Sequence, residues 1–270
     1  MSANTVFWAF FLTWLAGLST GIGGLIVYFA KTTNTKFLSF SLGFSAGVMI
    51  YVSFVEIFAH GRNLLGEYLG PKAGYAATAA SFFAGVLLAA LIDRMVPSYE
   101  NPHEARTVEE ARGRPSEWAG AGLFKTGVLT AVIVTVHNFP EGLATFTASL
   151  DSLRFGIPIA IAVAIHNIPE GISISLPVYY ATGSRRKALF YSFASGLAEP
   201  LGAAAGYVFL KGIFNDAALG LVFGLVAGIM VFISLDQLLP TAEKYGEHHL
   251  AAYGLVSGMA VMAVSLLLFA

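Results

Sequence analysis

Apolar residues in this chain come in blocks of membrane-crossing length, cut apart by short polar turns. A hydrocarbon core of about 30 Å takes about 20 helical residues to cross. Segments of that length are predicted at 5–29, 37–59, 73–96, 123–148, 156–181, 188–210, 217–239 and 251–269. The turns between them include Lys31 to Lys36, Asp151 to Arg154 and Arg185 to Lys187. The turn at Asp151 is short enough to make the fourth and fifth segments antiparallel neighbours. One long polar stretch, 97–121, carries three prolines and charges of both signs, and is expected as a cytoplasmic linker. The pattern predicts an all-α polytopic membrane protein, with residues 1–270 forming a single transmembrane domain.

Composition sharpens that picture. Hydrophobic residues make up 56% of the chain and charged residues 11%, with a mean hydropathy of +0.72, so lipid is the expected surroundings. A net charge of −1 and the lack of a basic tract with interleaved aromatics exclude nucleic acid as a partner. There is no cysteine, which removes disulfides and thiolate sites together and leaves nitrogen, oxygen and thioether as the only metal donors. The first segment has no basic residue ahead of it and runs a full membrane thickness, so it is expected as a retained helix. With the N-terminus outside, eleven of the fifteen lysines and arginines fall on the cytoplasmic side, which places both termini outside the cytoplasm.

Against this apolar background one word is written twice: His137-Asn138-Phe139-Pro140-Glu141-Gly142, then His166-Asn167-Ile168-Pro169-Glu170-Gly171. Each copy lies inside a predicted membrane helix. A centrally placed charge costs roughly 2.5–3.5 kcal/mol on insertion scales, so ionisable residues there point to function. Helical spacing gathers the His, Asn and Glu of each copy into about one quadrant of its helix. Pro140 and Pro169 cannot donate to the carbonyls of Val136 and Ile165, so a kink is expected beside each polar triad. Glu199 in the sixth segment is a further carboxylate placed mid-membrane beside a proline. Glu56 lies near an end of the second segment, Asp93-Arg94 reads as an interfacial anchor, and His248-His249 reads as solvent-facing. On its residue type alone Met49 reads as core packing.

A second repeat frames the first. Gly43 to Ser53 in the second segment (GFSAGVMIYVS) matches Gly224 to Ser234 in the seventh (GLVAGIMVFIS), and Gly17, Gly23 and Tyr28 fall opposite Gly196, Gly202 and Tyr207. The first three segments therefore echo the last three, the fourth echoes the fifth, and related segments run in opposite directions. Inverted repeats with proline-broken polar helices at mid-membrane are a transporter pattern.

If the fourth, fifth and sixth segments meet, three carboxylates share a poor dielectric and need cations or protons to compensate them. Two divalent cations would do so. Mixed imidazole and carboxylate suit zinc and similar transition ions; the lack of thiolate argues against Cu(I), and the nitrogen donors argue against dedicated magnesium or calcium cages. Glu141 and Glu170 are placed to bridge two ions, with Asn138 and Asn167 as neutral oxygens.

The paired H-N-x-P-E-G words, the eight segments and the polar stretch after the third resemble the ZIP (Zrt/Irt-like) metal transporters, and within them the bacterial zinc transporters, over essentially the whole chain. The resemblance implies a transporter rather than an enzyme, carrying a divalent metal as substrate. Zinc leads, with iron, manganese, cobalt and cadmium as further candidates, and movement is into the cytoplasm by alternating access. It also implies a homodimer, in the inner membrane if the source is bacterial. By motif, one metal position would use His137, Glu141, His166 and Glu170 with Met49, and the other Asn138, Glu141, Asn167, Glu170 and Glu199. It further implies that segments one, four, five and six move against the other four. In place of the histidine-rich loop of many relatives, the loop here has His103 alone. Two alternatives stay open on the residues themselves. One is a proton-coupled carrier of another solute. The other is an intramembrane metal-dependent hydrolase, although no H-E-x-x-H word occurs.

Overall fold

The computed structural model describes residues 3–32, 34–94, 138–210, 215–245 and 248–269, and among these there is no strand. His137, the 97–121 stretch and the first part of the predicted fourth helix lie outside the described residues. The helices, in chain order, are α1 (Ala3–Phe29), α2 (Thr35–Val52, then a π turn Ser53–Phe58, then Ala59–Leu69) and α3 (Pro71–Arg94). They continue with α4 (residues 138–151), α5 (Leu153–Thr182), α6 (Arg185–Gly196) and α7 (Ala198–Leu210). The last are α8 (Asp216–Ile233, a π turn Ser234–Leu238, then Leu239–Tyr245) and α9 (His248–Phe269). Six of these are long and apolar enough to cross a membrane: α1, α2, α3, α5, α8 and α9. The described residues are all-α, with the helices of an integral membrane protein.

Local chemistry sets the helix ends. The Asn34 side chain accepts from the Phe37 N–H at 2.9 Å and starts α2, and Asn215 does the same for Ala218 at 2.8 Å at the head of α8. Gly183, at φ 64°, closes α5, a conformation that glycine adopts without strain. Helix continues through Pro169, whereas the turn that Pro140 would disturb lies outside the described residues; a break falls at Leu197, between α6 and α7 and three residues before Pro200. Pro200 cannot donate to the Gly196 carbonyl, so the predicted sixth helix is two helices joined end to end.

The helices pack in two groups. α1 lies along α5, α6 and α7, while α2 lies along α9 and α3 along α8. α2 also crosses α5, which joins the groups. Glycine makes these crossings close: a methyl at Gly43 or Gly47 would drive into the Ala251 or Leu255 backbone of α9, and one at Gly228 into the Phe82 backbone of α3. Large apolar side chains such as Phe7, Leu87, Leu91 and Leu268 face outward, while Thr13, Ser45, Asn138, Glu141, Asn167 and Glu199 are buried. In lipid this inside-out arrangement is the economical one, because only the interior can satisfy polar groups.

Candidate metal centre

The doubled word comes together where α4, α5 and α7 meet. Gly142, which ends the first copy, sits against the Glu199 backbone of α7, and Gly171, which ends the second, sits against the Thr20 backbone of α1. The last letter of the word is therefore a steric requirement: any larger residue would hold the carboxylate before it away from the opposite helix.

One donor atom from each of Glu141, His166 and Glu170 lies within 4.8 Å of the others, and all three residues are buried. His166 Nε2 is 3.3 Å from Glu141 Oε2. The other ring nitrogen, Nδ1, stands 3.0 Å from the Ala162 carbonyl, so it carries the proton and leaves Nε2 as a free donor pair aimed at the carboxylates. Ser45 of α2 donates to the His166 carbonyl at 3.3 Å, fixing the backbone from the other packing group.

Beside this cluster, Asn167 Nδ2 donates to Glu199 Oε1 across the α5–α7 contact and to the Ala16 carbonyl of α1 at 2.9 Å. Asn138 reaches Ser195 Oγ of α6 at 3.5 Å. Four buried atoms of this set have no hydrogen-bond partner: Glu141 Oε2, His166 Nε2, Asn167 Oδ1 and Glu199 Oε2. Each is a lone-pair donor. A buried polar atom left unpaired costs about 1–3 kcal/mol, so a convergent group of them describes a place for a cation.

A sequence profile of the ZIP Zinc transporter family matches residues 97–266. The chain is 58% identical to the "Zinc transporter ZupT" of Clostridium perfringens, over 98% of this chain and 97% of that one. It is 58% identical to the protein of that name from Streptococcus mutans over 98% of both chains, and 56% identical to that from Chlorobaculum parvum over 99% of both. The chain belongs to the ZIP family. Of the sequence-predicted site residues in this ZIP chain, Glu141, His166 and Glu170 form one cluster, Asn167 and Glu199 a bonded pair beside it, and Asn138 a contact with α6. Met49 is buried on α2, one helical turn beyond Ser45. Ser45, Ser195 and the Ala16 carbonyl support the site without having been picked out in the sequence. Ser195 had a signal, standing one helical turn before Glu199; a backbone carbonyl such as that of Ala16 has none.

Away from the centre, further polar contacts tie helices together. His60 Nε2 of α2 stands 3.0 Å from Asp151 Oδ2 at the end of α4, its ring packed on Phe155 at 4.3 Å. Gln237 of α8 donates to Asp93 of α3 at 3.4 Å, so Asp93 faces a neighbouring helix.

Proposed function

We propose that this protein carries divalent transition metal, zinc foremost, into the cytoplasm through a site holding two ions between α4 and α5. The observation that carries this is the convergence of unpaired Glu141 Oε2, His166 Nε2, Asn167 Oδ1 and Glu199 Oε2 in a buried, carboxylate-rich interior. One imidazole and three carboxylates suit zinc's nitrogen and oxygen preference, and the named relatives are zinc transporters. His137 completes the first ion position in this reading, and Glu141 and Glu170 bridge the two. In the proton-relay alternative Asn167 Oδ1, an amide oxygen that takes no proton, has no role.

Alternating access follows from an inverted repeat of eight spans, in which α6 and α7 together make the sixth. The close contacts support the repeat pair by pair. Gly142 meets Glu199 as Gly171 meets Thr20; Gly23 meets Ile168 as Gly202 meets Phe139; Gly17 and Gly196 meet each other. Asn167 bonds Ala16 as Asn138 bonds its counterpart Ser195. Both π turns begin at matching serines, Ser53 and Ser234. In this reading α1 and α4–α7 move against α2, α3, α8 and α9, both termini lie outside the cytoplasm, and the protein works as a homodimer in the plasma membrane.

Counting bound zinc by equilibrium dialysis of the purified protein tests the two-ion site. The wild type should hold two ions per chain. Glu199→Gln, which keeps an acceptor for Asn167 but removes a charge, should hold one. A single ion in both would contradict the proposal.

A further inference from the structure

Thr20 of α1 is fully buried, and its hydroxyl has no hydrogen-bond partner. Four other helical threonines, Thr13, Thr78, Thr147 and Thr182, each donate to the carbonyl four residues back, at 2.7–2.9 Å, while Thr145 of α4 shares the unpartnered state of Thr20. The carbonyl four residues before Thr20 is that of Ala16. It already accepts from Asn167 Nδ2 at 2.9 Å and from Ser19 Oγ at 2.6 Å. The second copy of the doubled word has therefore taken the acceptor that Thr20 would otherwise use.

The mirrored contacts place Thr20 in a definite seat. Gly171 packs on the Thr20 backbone as Gly142 packs on the Glu199 backbone, and position 16, one turn before Thr20, is gripped by Asn167 as position 195, one turn before Glu199, is gripped by Asn138. Thr20 is thus the counterpart of Glu199. Glu199 bonds Asn167, and in the repeat the pair that corresponds to these two is Thr20 and Asn138.

We propose that Thr20 is a further residue of the ion site, its hydroxyl serving as a neutral oxygen ligand to the transported divalent ion where the related half of the molecule uses the Glu199 carboxylate. This rests on the two-ion reading above. It gives the site unequal faces, one anionic at Glu199 and one neutral at Thr20. A neutral donor holds an ion without deepening the well, and transport requires that the ion leave.

The test is zinc uptake by the full chain in liposomes, with KM and maximal rate measured separately and manganese as competitor. Thr20→Val removes the hydroxyl at nearly constant shape, Thr20→Ser keeps it, and Thr13→Val removes a hydroxyl that only bonds its own helix. Thr20→Val should raise KM about three- to tenfold, the size of one neutral polar contact, and shift the zinc-to-manganese ratio. Thr20→Ser should restore both to within about twofold, and Thr13→Val should leave KM unchanged. If Thr20→Val does not fold, Thr20→Ala set against Thr20→Ser decides in the same way. Wild-type KM and competition in Thr20→Val, or in Thr20→Ala where that stands in for it, beside an active wild type, overturn this inference alone. Absence of flux in the wild type overturns the transport reading as well.

Discussion

Replacing Gly142 by alanine tests how closely the centre depends on helix separation. The added methyl would stand 2.5 Å from the Glu199 carbonyl carbon and nearer still to its oxygen, whereas 3.4 Å is where ordinary contact begins. Both partners are backbone, so α4 and α7 must part by about 0.9 Å or more. Overpacking of this kind costs about 1–3 kcal/mol, offset by up to about 1 kcal/mol because alanine favours helix over glycine. The net loss of stability is modest. The effect on the ion is not, because ligand distances tolerate only about 0.2 Å and Glu199 moves with the helix that is displaced. Zinc uptake in liposomes at matched protein amounts should fall at least about tenfold, with one ion bound in place of two. Gly66→Ala is the internal control: its methyl would meet open space, and α2 should be stabilised by up to about 1 kcal/mol with uptake unchanged. Wild-type uptake in Gly142→Ala would refute the close-crossing argument and the placement of Glu199 in the site together.

Glu170→Ala should abolish zinc uptake, since it removes a bridging charge from the buried cluster; a transport-competent variant contradicts the shared-carboxylate arrangement. Uptake measured without a proton gradient should fall as pH drops from 7 to about 5.5, because ligands bind the metal deprotonated and an ordinary imidazole loses about eightfold of its neutral form over that range. Unchanged or faster uptake at the lower pH would speak against imidazole ligation. Asp151→Asn weakens a pair with His60 that is about a quarter exposed, so thermal denaturation should show at most about 1 kcal/mol of lost stability. A larger loss would mean that this contact between α2 and α4 matters more than its exposure allows.

The membrane class and the centre could be read early because both are written in residue type. Carboxylates and imidazoles inside apolar runs are costly enough to announce themselves, and the doubled word names Asn138, Glu141, His166, Asn167 and Glu170 before any helix is placed. What could not be read is backbone. The π turns at Ser53 and Ser234 begin at serines that the repeat had matched, yet nothing in their composition marks a wide turn. Pro169 and Pro200 look alike in sequence, but helix runs through the first and breaks three residues before the second. Thr20 is silent for a related reason. Its hydroxyl stands out only once Asn167 is seen to occupy the Ala16 carbonyl, a contact spanning 151 residues.

The central claim, that divalent metal crosses the membrane through the doubled word, is tested most directly by radioactive zinc uptake into liposomes holding the purified protein. Wild type is compared with His137→Ala and Glu170→Ala, with folding of each verified. Saturable, chelator-sensitive uptake in the wild type, lost in both variants, is the predicted result. Equal uptake in all three proteins would contradict the account, as would a folded wild type that passes neither zinc nor any competing divalent ion.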